Sequence, residues 1–156
     1  MSSRAMVGGP VETEIAALTS ITVIVRDMGK ALAFYGLLGL TSDAEPGSPH
    51  ASVSLPNGVS LDFDSVEFVP MWDSGWKGAT GGNTLLNFSA ASREGVDSLY
   101  AKLTQAGHAG RQQPFDAFWG ARYAIVDDPD GNGVGLMSPI DADRQTWPPE
   151  APPSGP

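Results

Sequence analysis

The sequence has no cysteine, two histidines and nine lysine and arginine residues among its 156 residues. Without cysteine the chain cannot form disulfides, thiolate nucleophiles, iron–sulfur clusters or thiolate zinc sites. Asp and Glu number 18, so the formal net charge is −9. An acidic protein repels phosphate backbones and anionic lipid surfaces, so we expect neither nucleic acid nor a membrane as a partner. A neutral or cationic small molecule is compatible with this charge.

Long hydrophobic runs are also missing. The longest, near residues 21–25, is far too short to span a bilayer, and the first ten residues, MSSRAMVGGP, hold no apolar segment typical of a secretion signal. We therefore expect a cytoplasmic protein. Hydrophobic residues make up 41% of the chain and charged residues 17%, which is typical of a packed domain rather than a disordered chain.

The two ends of the chain differ in composition from the middle. Residues 1–15 are mostly small or polar and include glycine and proline, which predicts a flexible N-terminal arm. Residues 141–156 end in a proline-rich run that suits neither a helix nor a central strand, which predicts a disordered tail. A single domain is expected over residues 16–140.

Within this domain the predicted elements follow one order twice. A β-branched, alternating strand is followed by a segment with helical spacing and then by two strands around a turn, with a further strand expected in the less regular part of each unit. The letters repeat as well: ALAFY at 31–35 corresponds to VDSLY at 96–100, and NGVSL at 57–61 to NGVGL at 132–136. A short duplicated unit cannot bury its sheet alone, so the two copies should pack together.

Two segments carry a family resemblance. RDMGKALAFYGLLGL at 26–40, followed by FWGARYAIVDDPDGNGVGL at 118–136, resembles the glyoxalase/bleomycin-resistance family of the vicinal oxygen chelate superfamily. The resemblance covers residues 17–140. It implies an α+β fold of duplicated βαβββ units, about 16–80 and 81–140, whose curved mixed sheets enclose a cleft, in a homodimer. Many members hold a divalent metal in the cleft and act as lyases, isomerases or dioxygenases, whereas others bind an antibiotic without metal.

The resemblance also identifies where metal-dependent members place their ligands, at one position in each first strand and one in each last strand. In this chain those positions are occupied by Ser20, Ser60, Leu85 and Gly135. A catalytic divalent ion requires imidazole or carboxylate ligands, usually three, so this set is not a metal site. A slip of two residues along the same strand face would introduce Asp62 or Asn87, which still make a poor site. We therefore expect no metal and no cofactor.

Other candidate ligands have simpler interpretations. His50 and His108 fall in a loop and just after a helix, and we expect both to be solvated polar residues. The segment DPDGNG matches the first half of a calcium-binding loop, but its twelfth position is Pro139 and its flanks are predicted strands. A tight β-turn is therefore expected there.

Strand alternation predicts which strand side chains face the cleft and so meet a ligand. Two irregular segments are also rich in aromatic residues: FVPMWDSGW at 68–76 and PFDAFWGARY at 114–123. Their rings can stack on a planar or cationic molecule. Each ring alternatively fills core or dimer contacts. Arg122 pairs either with an acidic ligand group or with a neighbouring loop. The predicted ligand-binding residues are Ser60, Asp62, Trp72, Trp76, Asn87, Phe115, Trp119, Arg122 and Met137.

These patterns favour metal-independent binding or sequestration of a small, planar organic molecule, neutral or cationic, as in antibiotic resistance, with no catalytic residue. The alternative is a lyase, isomerase or dioxygenase of the same superfamily, which would need Asp62 as a base or a metal bound elsewhere. A third possibility is a vestigial cleft and a role in protein association. No G-x-S-x-G motif or comparable nucleophile pattern is present.

Overall fold

The computed structural model describes residues 17–74, 76, 78 and 84–156, so the predicted arm at 1–15 lies outside the described residues. The helices are α1 (Met28–Leu37) and α2 (Arg93–Gln105). The strands are β1 (Ser20–Val25), β2 (His50–Ser54), β3 (Ser60–Ser65), β4 (Leu85–Ser89), β5 (Gly110–Asp116), β6 (Arg122–Asp127) and β7 (Gly133–Met137). None of the helices within these residues is long and apolar enough to cross a membrane.

The strands form two mixed sheets. The first has the order β1–β3–β2, with β1 parallel and β2 antiparallel to β3. The second has the order β4–β7–β6–β5, in which β4 and β7 are parallel and the other pairs antiparallel. The expected α+β fold of duplicated units is confirmed. The first copy has one strand fewer, because residues 40–49 contain no strand; this segment includes two prolines and a glycine, which disfavour strand pairing.

Both helices begin at a side-chain cap. The Asp27 carboxylate accepts a hydrogen bond from the backbone N–H of Lys30 at 3.0 Å, and the Ser92 hydroxyl accepts one from Gly95 at 3.0 Å. Each bond satisfies an N–H that would otherwise lack an intrahelical partner. These caps set where each helix begins relative to the strand before it.

The inner faces of both sheets and both helices share one hydrophobic core. Tyr35 on α1 joins the two units, because its ring lies 4.9 Å from that of Phe63 and 6.3 Å from that of Phe88, measured between centroids. Its hydroxyl donates a hydrogen bond of 2.8 Å to the buried carboxylate of Asp128. The two copies are therefore packed through their helix-covered faces.

The DPDGNG segment forms the expected tight turn between β6 and β7. One carboxylate oxygen of Asp128 accepts hydrogen bonds from the backbone N–H groups of Asp130 and Asn132, each at 2.8 Å. The other oxygen accepts the hydrogen bond from the Tyr35 hydroxyl. Gly131 has a φ of 86°, a left-handed conformation that glycine adopts without strain. Asp130 also pairs with Arg26 at 3.1 Å, so this turn connects the second unit to the end of β1.

Residues 141–156, for which the sequence predicts a disordered tail, make hydrogen bonds to the second sheet. The N–H of Gln113 on β5 donates to the carbonyl of Gly155 at 3.0 Å, and the side chain of Gln112 donates to that of Pro153 at 2.9 Å. An edge strand presents unpaired N–H groups, and a proline-rich segment offers carbonyls without needing to donate in return. The tail therefore lies along the free edge of β5, although it is solvent-exposed throughout.

Candidate functional site

The side of the first sheet that faces away from the helices, termed the open face, carries a polar surface. On β3, Leu61 and Phe63 are buried in the core, so alternation places Ser60, Asp62 and Asp64 on the open face. Strand pairing arranges the open face in three cross-strand rows: Ser54–Ser60–Ser20, Ser52–Asp62–Thr22 and His50–Asp64–Ile24.

A pocket of about 440 Å³ opens at the third of these rows and is lined by Thr22, His50, Asp64, Phe68 and Trp72. Phe68 and Trp72 flank a short 3₁₀ turn, Val69–Met71, whose first residue is fully buried. This anchored turn carries two aromatic rings to the edge of the pocket. Trp72 is 50% exposed, so its ring is available to an incoming molecule.

The polar centre of this pocket is a histidine–aspartate pair. Nδ1 of His50 lies 2.5 Å from Oδ1 of Asp64. Asp64 is 6% exposed, whereas 47% of the imidazole surface is open to solvent. A carboxylate only accepts hydrogen bonds, so Nδ1 is the donor, and in the neutral imidazole Nε2 then carries the free lone pair. Within the described parts of the chain, Nε2 makes no hydrogen bond.

A depression of similar size, about 430 Å³, lies beside the outer edge of β2. It is lined by residues 39–43 and 52–56, which bring one ionisable side chain, Asp43, and no aromatic ring. Ligand pockets combine apolar walls with a few convergent polar groups. The pocket at His50 and Asp64 fits that description better.

The predicted residues of the first unit are partly brought together. Trp72 lines the pocket, whereas Asp62 lies one row away and accepts a 2.6 Å hydrogen bond from the Ser52 hydroxyl. Ser60 lies a further row along the same strand. Trp76 is half-buried, and its backbone N–H donates to the backbone carbonyl of Asp73 at 3.4 Å. Its ring is not among the described residues that line the pocket.

Apart from Arg122, the predicted residues of the second unit lie close together, around Tyr123. The hydroxyl of Tyr123 donates to Oδ1 of Asn87 at 2.7 Å, and Nε1 of Trp119 donates to the Met137 sulfur at 3.4 Å. The Trp119 ring lies 5.1 Å from that of Tyr123 and 6.5 Å from that of Phe115. These polar groups therefore already have partners within the protein.

The space beside Gly135 is likewise occupied by side chains of the protein itself. A Cβ on this residue would lie within 2.5 Å of both Oδ1 of Asn87 and Oη of Tyr123, so the ends of these two side chains occupy the space in front of Gly135. Strand pairing places Gly135 opposite Asn87, whereas Leu85 lies opposite Gly133. The first-strand ligand position of the second unit is therefore Asn87 rather than Leu85. This is the slip of two residues along the strand that the sequence left open.

The four ligand positions do not fit a divalent metal in either register. Ser20 lies opposite Ser60, and Asn87 lies opposite Gly135, so the set offers two hydroxyls and one amide. Divalent catalytic ions are held mainly by imidazole and carboxylate groups. Across the described residues, no three His, Cys, Asp or Glu side chains come close enough to hold a metal ion.

Arg122 lies on the side of the second sheet that packs against α2. Its guanidinium contacts Asp97 on α2 at 3.0 Å and Asp116 on β5 at 3.3 Å. Arg93 also pairs with Asp116. Partial burial works to raise the pKa of Asp116, but the two guanidinium groups hold that pKa below its usual range. Arg122 therefore joins α2 to the sheet. Of its two possible pairings, with a ligand or with a neighbouring part of the chain, the structure has the second.

The histidine–aspartate pair is what the sequence interpretation missed. His50 was expected to be solvated, but it is the first residue of β2 and contacts Asp64, while the ring of His108 packs edge-on against Phe34 at 4.8 Å. The signal was present, because His50 and Asp64 are equally distant from Asn57 in the predicted hairpin turn. The predicted second strand already reaches Asp64, and extending the first strand back from Ser52 to His50 pairs the two residues directly.

Comparison with known proteins agrees with this architecture. A family model described as Glyoxalase/Bleomycin resistance protein/Dioxygenase superfamily matches residues 17–136. No curated protein matches the chain.

Several solved structures share the fold. A glyoxalase-related enzyme from Fulvimarina pelagi is 23% identical with a TM-score of 0.70, over 83% of this chain and 95% of that one. A glyoxalase/bleomycin resistance protein/dioxygenase family enzyme from Burkholderia phytofirmans PsJN is 23% identical with a TM-score of 0.68, over 79% and 98%. A lactoylglutathione lyase from Agrobacterium tumefaciens is 16% identical with a TM-score of 0.61, over 81% and 96%. At these identities the likeness concerns the fold alone.

Proposed function

The chain belongs to the glyoxalase/bleomycin resistance protein/dioxygenase superfamily, and from this we propose that it binds a small, planar organic molecule on the open face of its first sheet. The observation that carries the proposal is the pocket of about 440 Å³, in which two aromatic rings face a histidine–aspartate pair. Binding there needs no ion at the superfamily's ligand positions. An antibiotic with a planar ring system is one ligand of this class, and sequestering it would confer resistance without chemistry.

Charge favours neutral or cationic ligands over anionic ones. The chain has a net charge of −9, and Asp62 and Asp64 lie in adjacent rows of the open face. An aromatic face also attracts cations, by about 0.5–1 kcal/mol at exposed sites. Among molecules of equal size, a cation should therefore bind best.

The test is calorimetric titration with three matched naphthalene derivatives: 1-naphthylmethylammonium, 1-naphthylmethanol and 1-naphthoate. We expect affinity to fall in that order, because the charge changes while the ring is constant. Trp72→Ala should weaken binding of the cation about tenfold, which corresponds to about 1.4 kcal/mol of stacking and cation–π attraction.

Trp147→Ala is the matched control, because Trp147 is 78% exposed and its ring packs near Phe118, away from the pocket lining. Equal affinities for wild type and Trp72→Ala, or strongest binding of the naphthoate, would contradict the proposal. Asp62→Asn distinguishes the contribution of Asp62 from that of Asp64. If Asp62 contributes to the electrostatic field in the pocket, this variant should lose more affinity for the cation than for the neutral compound.

A further inference from the structure

We propose that His50 is a general base in this pocket, and that Asp64 is the residue that positions it. In this proposal, Nε2 of His50 takes a proton from a molecule held against Phe68 and Trp72. The proposal rests on the proposed function, because it uses the same pocket, and it adds an activity to what would otherwise be a binding protein. It also places the base at His50 rather than at Asp62.

The geometry gives the two residues different roles. Asp64 is buried on the central strand of its sheet, between β1 and β2, and so is held rigidly on both sides. Its hydrogen bond to Nδ1 fixes the imidazole ring and leaves Nε2 as the proton acceptor. A base held by a buried acid in this way is the arrangement that activates histidine in many enzymes.

The location of the pair argues for chemistry rather than for support of the fold. The imidazole lines a pocket and is half exposed, and Nε2 makes no hydrogen bond to any part of the chain that the structure describes. The Phe68 ring lies 6.4 Å from the imidazole, measured between centroids, so a flat molecule seated between Phe68 and Trp72 would displace water beside the base. Removing water strengthens the interaction between a base and its target.

The lining also restricts the class of substrate. Besides the pair itself, the pocket is lined by one hydroxyl side chain, Thr22, and by two aromatic rings, with no lysine or arginine among the described lining residues. The negative charge that follows proton removal therefore has to be delocalised within the substrate. A planar aromatic compound with an acidic C–H next to a carbonyl group meets this requirement.

The step needs no co-reactant. The C–H bond breaks, its proton bonds to Nε2, and its electron pair moves into the carbonyl group to give an enolate conjugated with the ring. The Asp64 carboxylate stabilises the imidazolium that forms. The imidazolium exchanges its Nε2 proton with solvent, so return of a proton to the same carbon gives hydrogen exchange, and return to a conjugated carbon gives an isomer.

The experiment uses 1-phenylpropan-2-one in D₂O and follows loss of its benzylic proton signal by NMR. A positioned general base contributes about 10²–10⁴-fold, so His50→Ala should slow enzymatic exchange by at least about 100-fold. His108→Ala should leave the exchange rate unchanged, because that ring packs against Phe34 outside the pocket. Calorimetric binding of the same compound is measured in parallel for each variant.

The outcomes separate the two proposals. If the compound binds but wild type exchanges it no faster than the His50→Ala protein, the base is overturned and the binding function stands. If neither this compound nor the naphthalene series binds, the proposed function fails. If the naphthalene compounds bind and this ketone does not, aromatic ketones with an acidic C–H are the wrong substrate class.

The role of Asp64 has a signature that needs no ligand. Long-range ¹H–¹⁵N NMR should show neutral His50 protonated at Nδ1 in wild type and at Nε2 in Asp64→Ala. Asp64→Asn, which keeps an acceptor oxygen, should retain the wild-type tautomer, and thermal unfolding reports whether each variant is folded. Neutral His50 protonated at Nε2 in wild type would overturn the proposal, because the proton acceptor would then be absent.

Discussion

Two tyrosines at equivalent places in the internal repeat show how one residue can have different surroundings in the two copies. Tyr35 on α1 donates to the buried Asp128 carboxylate, whereas the hydroxyl of Tyr100 on α2 is buried and meets no partner among the described residues. Burial and then the charge of Asp128 raise the pKa of Tyr35 far above its ordinary value. The same residue type is therefore a link between units in one copy and packing material in the other.

Tyr35→Phe should lower the free energy of unfolding by about 1–3 kcal/mol, because it removes one donor from a buried carboxylate. Tyr100→Phe should change it little, since no hydrogen bond within the described residues is lost. Urea denaturation of both variants measures the difference. Equal losses in the two proteins would mean that the Tyr35–Asp128 bond contributes nothing.

The pH dependence of this difference has a defined sign. Tyrosine in the unfolded chain ionises at about pH 10. Because its pKa is raised in the folded protein, Tyr35 remains neutral there above that pH. The stabilisation is thus complete below that pH and declines as the pH rises above it. The stability difference between wild type and Tyr35→Phe should accordingly narrow in strongly alkaline buffer, and a difference that widens there would contradict this account.

The four superfamily ligand positions lead to a third prediction at this scale. Because Ser20, Ser60, Asn87 and Gly135 lack imidazole and carboxylate groups, purified protein should contain well under one equivalent of Zn, Ni, Mn, Fe or Mg. Chelators should leave its melting temperature unchanged. A full equivalent of tightly held metal in elemental analysis would favour the enzyme alternative with a metal bound elsewhere.

At the scale of elements, the β2–β3 hairpin controls the site, because its turn sets the register that brings His50 opposite Asp64. The turn uses Gly58 with a φ of 84°, and its N–H donates to Leu55 at 3.1 Å. Any residue with a Cβ is strained in this conformation. A shift of register by one residue would send every side chain of β2 to the opposite face.

Gly58→Ala should therefore lower the free energy of unfolding by about 1–2 kcal/mol. Gly47→Ala is the control, because Gly47 has no positive φ and no atom within 4 Å of a built Cβ. Chemical denaturation of both proteins tests the turn. Equal stability of the two variants would mean that the turn does not constrain the hairpin.

At the scale of the whole molecule, the two sheets leave open edges and the pocket lies beside exposed apolar surface. Met71, at the end of the 3₁₀ turn and outside the pocket lining, is 78% exposed. Open strand edges and exposed apolar patches are features that association covers. We expect a homodimer, as the family resemblance implies.

Light scattering at micromolar concentration should report twice the chain mass of 16.3 kDa. Met71→Asp should shift the equilibrium toward monomer if this surface lies in the interface. A mass of one chain for the wild-type protein would contradict the prediction of a homodimer.

Local patterns in the sequence were sufficient for most of the fold. Helical spacing, the Asn57–Gly58 turn, the DPDGNG turn and the internal repeat each depend on residues near one another in the chain, so they can be recognised without a structure. The missing strand at 40–49 and the course of the tail were not predicted, because strand pairing at a sheet edge depends on which distant groups are left unpaired.

The site depended on tertiary structure to a greater degree. The sequence by itself indicated the superfamily and the unsuitable metal positions, since those follow from residue identity at marked places in two motifs. Only the folded chain placed His50 against Asp64 beneath Phe68 and Trp72 and let Asn87 and Tyr123 fill the space at Gly135. The physical reason is that such contacts depend on strand register and on how one segment packs over another, which side-chain periodicity does not encode.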